Sequence, residues 1–230
     1  MKTIGLIGGM SWESTAIYYR LINQAIARRL GGLHSAQLIL FSVDFHDIEI
    51  LQQSGAWDEA GSRLRDAAQA LERGGAQFLV LCTNTMHKVA DAVTAGVTIP
   101  LLHIGDATAD AIKRSGVRRV GLLGTRFTMD QDFYRSRLET HGLSVVLPSQ
   151  EDRKLVNRVI YDELCLGEVR DESRNEYRRV IAAMVDSGVE GIILGCTEIG
   201  MLISADDSPV PTFDTTQIHA EAAADYALTA

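Results

Sequence analysis

The chain carries one ordered set of segments twice, and this repeat limits its possible folds more than any other feature. Gly75-Ala-Gln-Phe-Leu-Val-Leu-Cys-Thr83-Asn-Thr85 aligns without a gap against Gly188-Val-Glu-Gly-Ile-Ile-Leu-Gly-Cys196-Thr-Glu198. Upstream, Ile4-Gly-Leu-Ile-Gly8-Gly9 matches Val120-Gly-Leu-Leu-Gly124-Thr125, and downstream Ile99-Pro-Leu-Leu-His103 matches Val210-Pro-Thr-Phe-Asp214. The first two segments lie 78 residues apart in one copy (Gly5 to Thr83) and 75 in the other (Gly121 to Cys196). A duplicated unit predicts two domains whose equivalent strand ends flank a cleft. That places a thiol, Cys196, opposite a hydroxyl, Thr83, an arrangement suited to chemistry on both faces of one carbon.

Within each copy, short apolar runs alternate with longer amphipathic stretches. Strands are predicted at Lys2 to Gly8, Ala36 to Val43, Gln77 to Cys82 and Thr98 to His103, with counterparts at Arg119 to Gly124, Leu143 to Leu147, Gly191 to Gly195 and Val210 to Phe213. Continuous apolar strands separated by helices imply parallel sheets covered on both faces. Helices are predicted at Glu13 to Leu30, Trp57 to Arg73, Lys154 to Leu166, Asn175 to Asp186 and Thr215 to Leu228, with glycines ending the first two. The fold class is therefore α/β, with two pseudo-symmetric doubly wound domains and an active site in the cleft between them. Crossing near Gly105 and returning near Pro211 divides the chain into 1–104 plus 212–230 and 105–211.

A net charge of −8 argues against nucleic-acid or anionic-membrane partners. Runs such as Phe78 to Cys82 are too short to span a bilayer. The apolar N-terminal stretch is broken at Gly8-Gly9 and lacks a small-residue cleavage site, so it is not read as a signal peptide. The three cysteines have no paired spacing, which predicts reduced thiols in a cytoplasmic protein.

Ligands of open α/β sheets bind at the carboxyl ends of strands. Cys196 ends an apolar strand and precedes Thr197-Glu198, read as a helix start that would favour thiolate. Cys82 and Cys165 are read as small packing residues. Thr83-Asn84-Thr85 follows five apolar residues and reads either as a helix cap or as a polar cluster holding a carboxylate; the two are compatible. Gly8-Gly9-Met10-Ser11 allows close backbone approach to a ligand, but has neither dinucleotide nor P-loop spacing. The histidines do not fall at metal-ligand spacing. Lys88 reads as a solvated lysine rather than a Schiff-base former, and no G-x-S-x-G elbow is present.

At these residues the chain resembles the aspartate/glutamate racemase family, which works without pyridoxal phosphate. Ile4-Gly-Leu-Ile-Gly-Gly-Met10, Cys82-Thr-Asn-Thr-Met-His87 and Gly195-Cys-Thr-Glu198 look like its three signature segments, and Val43-Asp44-Phe45, Gly124-Thr125, His103 and Phe213-Asp214-Thr215 also fit. The resemblance spans essentially the whole chain. It implies an amino-acid substrate, no cofactor, and two cysteines on opposite faces of the substrate α-carbon. Many members are homodimers, so a homodimer is one assembly the resemblance allows.

This chain departs from the family pattern where Cys usually precedes Asn-Thr: here Thr83 stands, with Cys82 one place too early. A hydroxyl is a poor base near neutral pH, so Cys196 is expected to abstract the α-proton, with Thr83 as the opposite partner. The family's handedness then implies a kinetic preference for L-aspartate or L-glutamate. By motif position, Met10, Thr83, Asn84, Thr85 and Thr197 are expected to bind substrate. Gln52 is placed in the loop after the second strand, where relatives often use Arg on the side-chain carboxylate; a solvent-facing helix glutamine is the other reading. Arg126 is a conceivable replacement cation, with a surface arginine as its plainer reading. Two alternatives stay open: a single-cysteine arylmalonate-type decarboxylase, and a non-catalytic small-ligand-binding protein.

Overall fold

In the computed structural model, which describes residues 1–229, two four-stranded parallel sheets share one plan. The first contains β1 (Ile4–Gly8), β2 (Leu38–Ser42), β3 (Phe78–Leu81) and β4 (Leu101–Leu102) in the order β2-β1-β3-β4. Its helices are α1 (Trp12–Leu30), α2 (Phe45–Ser54), α3 (Trp57–Arg73) and α4 (Ala90–Thr94), with a 3-10 turn at Thr85–Val89. After α5 (Ile104–Arg114) come β5 (Arg119–Gly124), α6 (Arg126–Asp130), α7 (Asp132–Thr140), β6 (Ser144–Val146), α8 (Gln150–Asp162), α9 (Asp171–Asp186), β7 (Gly191–Gly195), α10 (Ile199–Leu202), β8 (Thr212–Asp214) and α11 (Thr215–Leu228). The second sheet runs β6-β5-β7-β8.

The two compact units comprise Met1–Ile104 with the residues from His219 onward, and Gly105–Ile218. The return to the first unit therefore comes later than the sequence suggests. Residues 212–214 form β8 and pair with β7, Ile193 opposite Phe213, so they stay with the second sheet. Thr215 at the start of α11 also donates its hydroxyl to Leu194 O (2.8 Å).

Strand alternation builds the first unit's core on both faces of its sheet. Ile4, Leu6, Phe78, Val80 and Cys82 pack with Tyr18 and Ile22 of α1 and Ala220, Ala223 and Ala227 of α11. Ile7, Leu79 and Leu81 pack on the other face with Leu64, Ala67 and Leu71 of α3. In the second unit, Leu123, Ile192, Leu194 and Cys196 share a cluster with Val156 and Ile160 of α8 and Tyr177 and Ile181 of α9.

Helix α1 illustrates how local sequence sets these elements. The Ser11 hydroxyl accepts from Ser14 N, Glu13 lies in the first turn, and Arg28 and Arg29 lie in the last, each matching the helix dipole. Tyr18, Ile22, Ala25 and Ile26 recur at helical spacing and are buried. Of the other predicted helices, α3 and α11 form with the expected ends, whereas α9 starts earlier, at Asp171, and α8 runs from Gln150 to Asp162 before a 3-10 turn over Leu164–Leu166 that carries Cys165.

Candidate active site

The register shows that Thr83 and Cys196 are equivalent. Gly5 pairs with Leu79 and Gly121 with Ile192. Thr83 and Cys196 each lie four residues beyond those partners, just past the carboxyl end of the equivalent strand.

In the first unit, three loops form the polar ends of the strands. The turn after β1 needs Gly9: its φ is +93°, and a Cβ would collide with the Val43 backbone. Thr15 ties this turn down, accepting from Gly9 N (2.8 Å) and donating to Ser11 O (2.8 Å). Met10 beyond it is buried in the cluster that holds Met86, and the Met10–Ser11 peptide is cis. After β3, Thr83, Asn84 and Thr85 are all buried. Asn84 precedes the 3-10 turn but makes no side-chain cap bond, so the capping role read from sequence is not taken up there. The Thr83 hydroxyl makes no hydrogen bond among the described residues, whereas its main chain is held at both ends: Thr83 N donates to Leu81 O (2.8 Å), and Thr83 O lies 2.7 Å from His87 Nδ1.

Gln52 differs from both sequence readings. It lies on α2, capped by Asp44 and ended by Gly55 in the left-handed region, and it is only 3% exposed. Its Nε2 donates to Met86 Sδ (3.0 Å), while its buried Oε1 has no hydrogen-bond partner among the described residues.

In the second unit, Cys196 Sγ donates to Glu198 Oε2 (3.0 Å), and Thr197 Oγ1 donates to the same oxygen (2.6 Å). All three residues are buried. Two donors thus converge on one oxygen of Glu198. Burial first, and then this neighbouring charge, push the Cys196 thiol well above its usual range. This corrects the expectation of a helix-stabilised thiolate. Helix α10 is four residues long and begins after Glu198, so the carboxylate dominates the local field. At rest the proton sits on sulfur, with its acceptor already in place. In the sequence, Glu198 stands out as a hydrogen-bond partner for sulfur only by its position two residues after a strand-end cysteine.

The remaining candidates lie elsewhere. Cys82 is fully buried among apolar side chains, which drives its thiol pKa up. Cys165 packs against the Cys196 cluster, and burial and then Glu198 raise it as well. Lys88 is not simply solvated, since its ammonium lies 3.8 Å over the Trp57 ring. Arg126 is exposed and lines a cavity of about 520 Å³ with Asp130, Gln150, Arg153, Lys154 and Asn157.

The family model for Asp/Glu/hydantoin racemases matches residues 7–223. The chain belongs to this family. It is 60% identical to a Yersinia pestis protein of known structure provisionally assigned as an Asp/Glu racemase, with each chain wholly covered and a TM-score of 0.93. An aspartate racemase homologue from Pyrococcus horikoshii is 38% identical, again with both chains wholly covered, at a TM-score of 0.86. The broad specificity amino-acid racemase RacX of Bacillus subtilis is 23% identical over 162 residues, which cover 69% of this chain and 68% of RacX. Family membership makes the chain a racemase-type isomerase of amino acids.

Proposed function

We propose that the protein is a cofactor-independent racemase of acidic amino acids that acts faster on the L-enantiomer. The observation that carries this reading is the Cys196–Glu198 pair, a thiol with its proton acceptor built in, at the strand end equivalent to Thr83. Cys196 serves one face of the substrate α-carbon and Thr83 the other.

With substrate bound, Glu198 takes the Cys196 proton and the thiolate removes the α-proton of the L-amino acid. The negative charge that develops moves onto the α-carboxylate. Without an electron sink, that charge must be met by aimed donors in a site shielded from water; Asn84, Thr85, Thr197 and the backbone around Met10 are proposed for this. The Thr83 hydroxyl gives its proton to the opposite face; after product leaves, solvent returns a proton to Thr83 and takes one from Glu198, which closes the cycle. In the reverse direction Thr83 must act as base. An alcohol is far less acidic than a thiol, so D-substrate turns over more slowly, while the enantiomer equilibrium stays one-to-one. The Yersinia relative, provisionally an Asp/Glu racemase, and the Pyrococcus aspartate racemase homologue point to aspartate or glutamate, and the buried Gln52 amide is proposed to meet the side-chain carboxylate.

The test is solvent deuterium incorporation into L- and D-aspartate and glutamate. Faster exchange into the L-forms, lost in Cys196→Ala, is expected; faster exchange into the D-forms overturns the assignment. Release of carbon dioxide from an arylmalonate without racemisation would favour the decarboxylase alternative. A homodimer is also proposed, supported by the exposed apolar residues Leu40 and Phe41 on the edge strand β2. Sedimentation at micromolar concentration tests it, and a monomer there counts against it.

A further inference from the structure

His87 lies four residues past Thr83, is 3% exposed, and has a partner at each ring nitrogen. Ile104 N donates to Nε2 (3.2 Å), and Nδ1 lies 2.7 Å from Thr83 O. The backbone N–H can only donate, so Nε2 must present its lone pair. The carbonyl can only accept, so Nδ1 must carry the proton. Both constraints together allow one state, the neutral Nδ1–H tautomer. A protonated ring would set a second N–H against that of Ile104. The His103 ring packs edge-on at 4.5 Å between centroids and His219 lies at 5.9 Å, so the imidazole has little room to turn.

We propose that His87 is a positioning residue for the Thr83 face of the reaction. It holds the Thr83 carbonyl and thereby fixes where the Thr83 hydroxyl points. The inference rests on the reading that Thr83 serves one face of the substrate. Three observations carry it. Strand β3 ends at Leu81, so no ladder holds Thr83. The Asn84 side chain does not cap the following turn. The bonds to Leu81 O and His87 are therefore what fix the Thr83 main chain, while the hydroxyl itself is held by nothing among the described residues. Removing His87 frees the carbonyl and lets the hydroxyl drift, and displacement by about 1 Å can cost roughly 10²-fold in rate. The Cys196–Glu198 pair belongs to the other unit and is joined by its own hydrogen bond.

The experiment follows two signals from L-glutamate and L-aspartate in D2O: α-deuterium retained in the L-form, which needs only the Cys196 face, and appearance of the D-form, which also needs Thr83. Wild type, Thr83→Ala, His87→Leu and His87→Gln are compared. His87→Leu is expected to lower D-form appearance about 10²-fold and change L-exchange less than about threefold. In His87→Gln the amide can donate to Thr83 O and accept from Ile104 N–H, so D-form appearance is expected to recover to within about tenfold of wild type. Nitrogen-15 NMR of the wild type is expected to show Nδ1 protonated and Nε2 bare, and it holds even if a variant fails to fold.

Unchanged D-form appearance in His87→Leu overturns the proposal. So does a parallel fall of both signals in folded His87→Leu and His87→Gln, or an Nε2–H ring in the wild type. If Thr83→Ala itself keeps full D-form appearance, the two-face reading fails first and the role of His87 fails with it.

Discussion

The Cys196 thiol donates to a buried Glu198 carboxylate across 3.0 Å. A hydrogen bond to a charged group is worth about 1.5–3 kcal/mol, and here it favours the thiol over the thiolate. On the proposed reading, substrate must therefore tip the proton across.

Glu198→Gln is expected to separate acidity from turnover. Burial would still hold the thiol above its usual range, but the carboxylate's contribution would be gone, so Cys196 would ionise at lower pH. Iodoacetamide should then alkylate it faster than in wild type at the same pH. Racemisation should nevertheless fall by about 10²–10⁴-fold, because the proton acceptor is lost. Slower alkylation together with unchanged turnover would show that Glu198 does not act on this thiol.

Thr83→Cys should narrow the gap between the two directions. A thiol of pKa about 8.5 offers a usable base near neutral pH where a hydroxyl does not. At saturating substrate the initial rate from the D-form is expected to rise by at least about tenfold, with a smaller change from the L-form, while kcat/KM changes equally in both directions because the equilibrium is one-to-one. Polarimetry from each pure enantiomer measures both, and a D-rate that stays flat would argue against proton transfer at position 83.

Gln52→Leu should trade stability against binding. The buried Oε1 has no partner among the described residues, and an unsatisfied buried polar atom costs about 1–3 kcal/mol. Replacing the amide with an apolar side chain of similar size is expected to leave the urea midpoint unchanged or higher, while KM for the acidic amino acid rises. A lowered midpoint with unchanged KM would place Gln52 in packing alone.

His219 links stability to pH. Its Nε2–H donates to Leu102 O (2.8 Å) and its Nδ1 accepts from Tyr18 OH (2.9 Å), which keeps the ring neutral. Burial lowers its pKa from 6.5 to about 4. Between those values the unfolded chain binds the extra proton. The contribution is thus complete above pH 6.5 and falls by about 3 kcal/mol as pH drops to 4. Urea titrations at pH 7 and pH 4.5 should show a smaller loss for His219→Gln than for wild type; equal losses would rule this out.

The repeat made the two parallel sheets and the equivalence of Thr83 and Cys196 legible, because each is carried by continuous apolar runs ending in Gly or polar residues. The late return of the chain was harder to see. β8 is three residues long and leads straight into α11 without a Gly or Pro between them. Helix α2 carried its own signals, the Asp44 cap and Gly55, yet a glutamine on it read as polar surface or loop. Whether an amide is buried depends on what packs above it, here Met86, which lies 34 residues away. The same applies to Glu198: a carboxylate at a helix start usually faces water, and only the folded turn aims it at sulfur.

Two sheets with one strand order and one register also have an evolutionary consequence. The scaffold is indifferent to handedness, since either strand end can present the stronger base. On the proposed reading, which mirror image is consumed faster turns on single codons at two equivalent positions, so descendants of one duplicated ancestor could reverse their chirality without altering a helix or a strand.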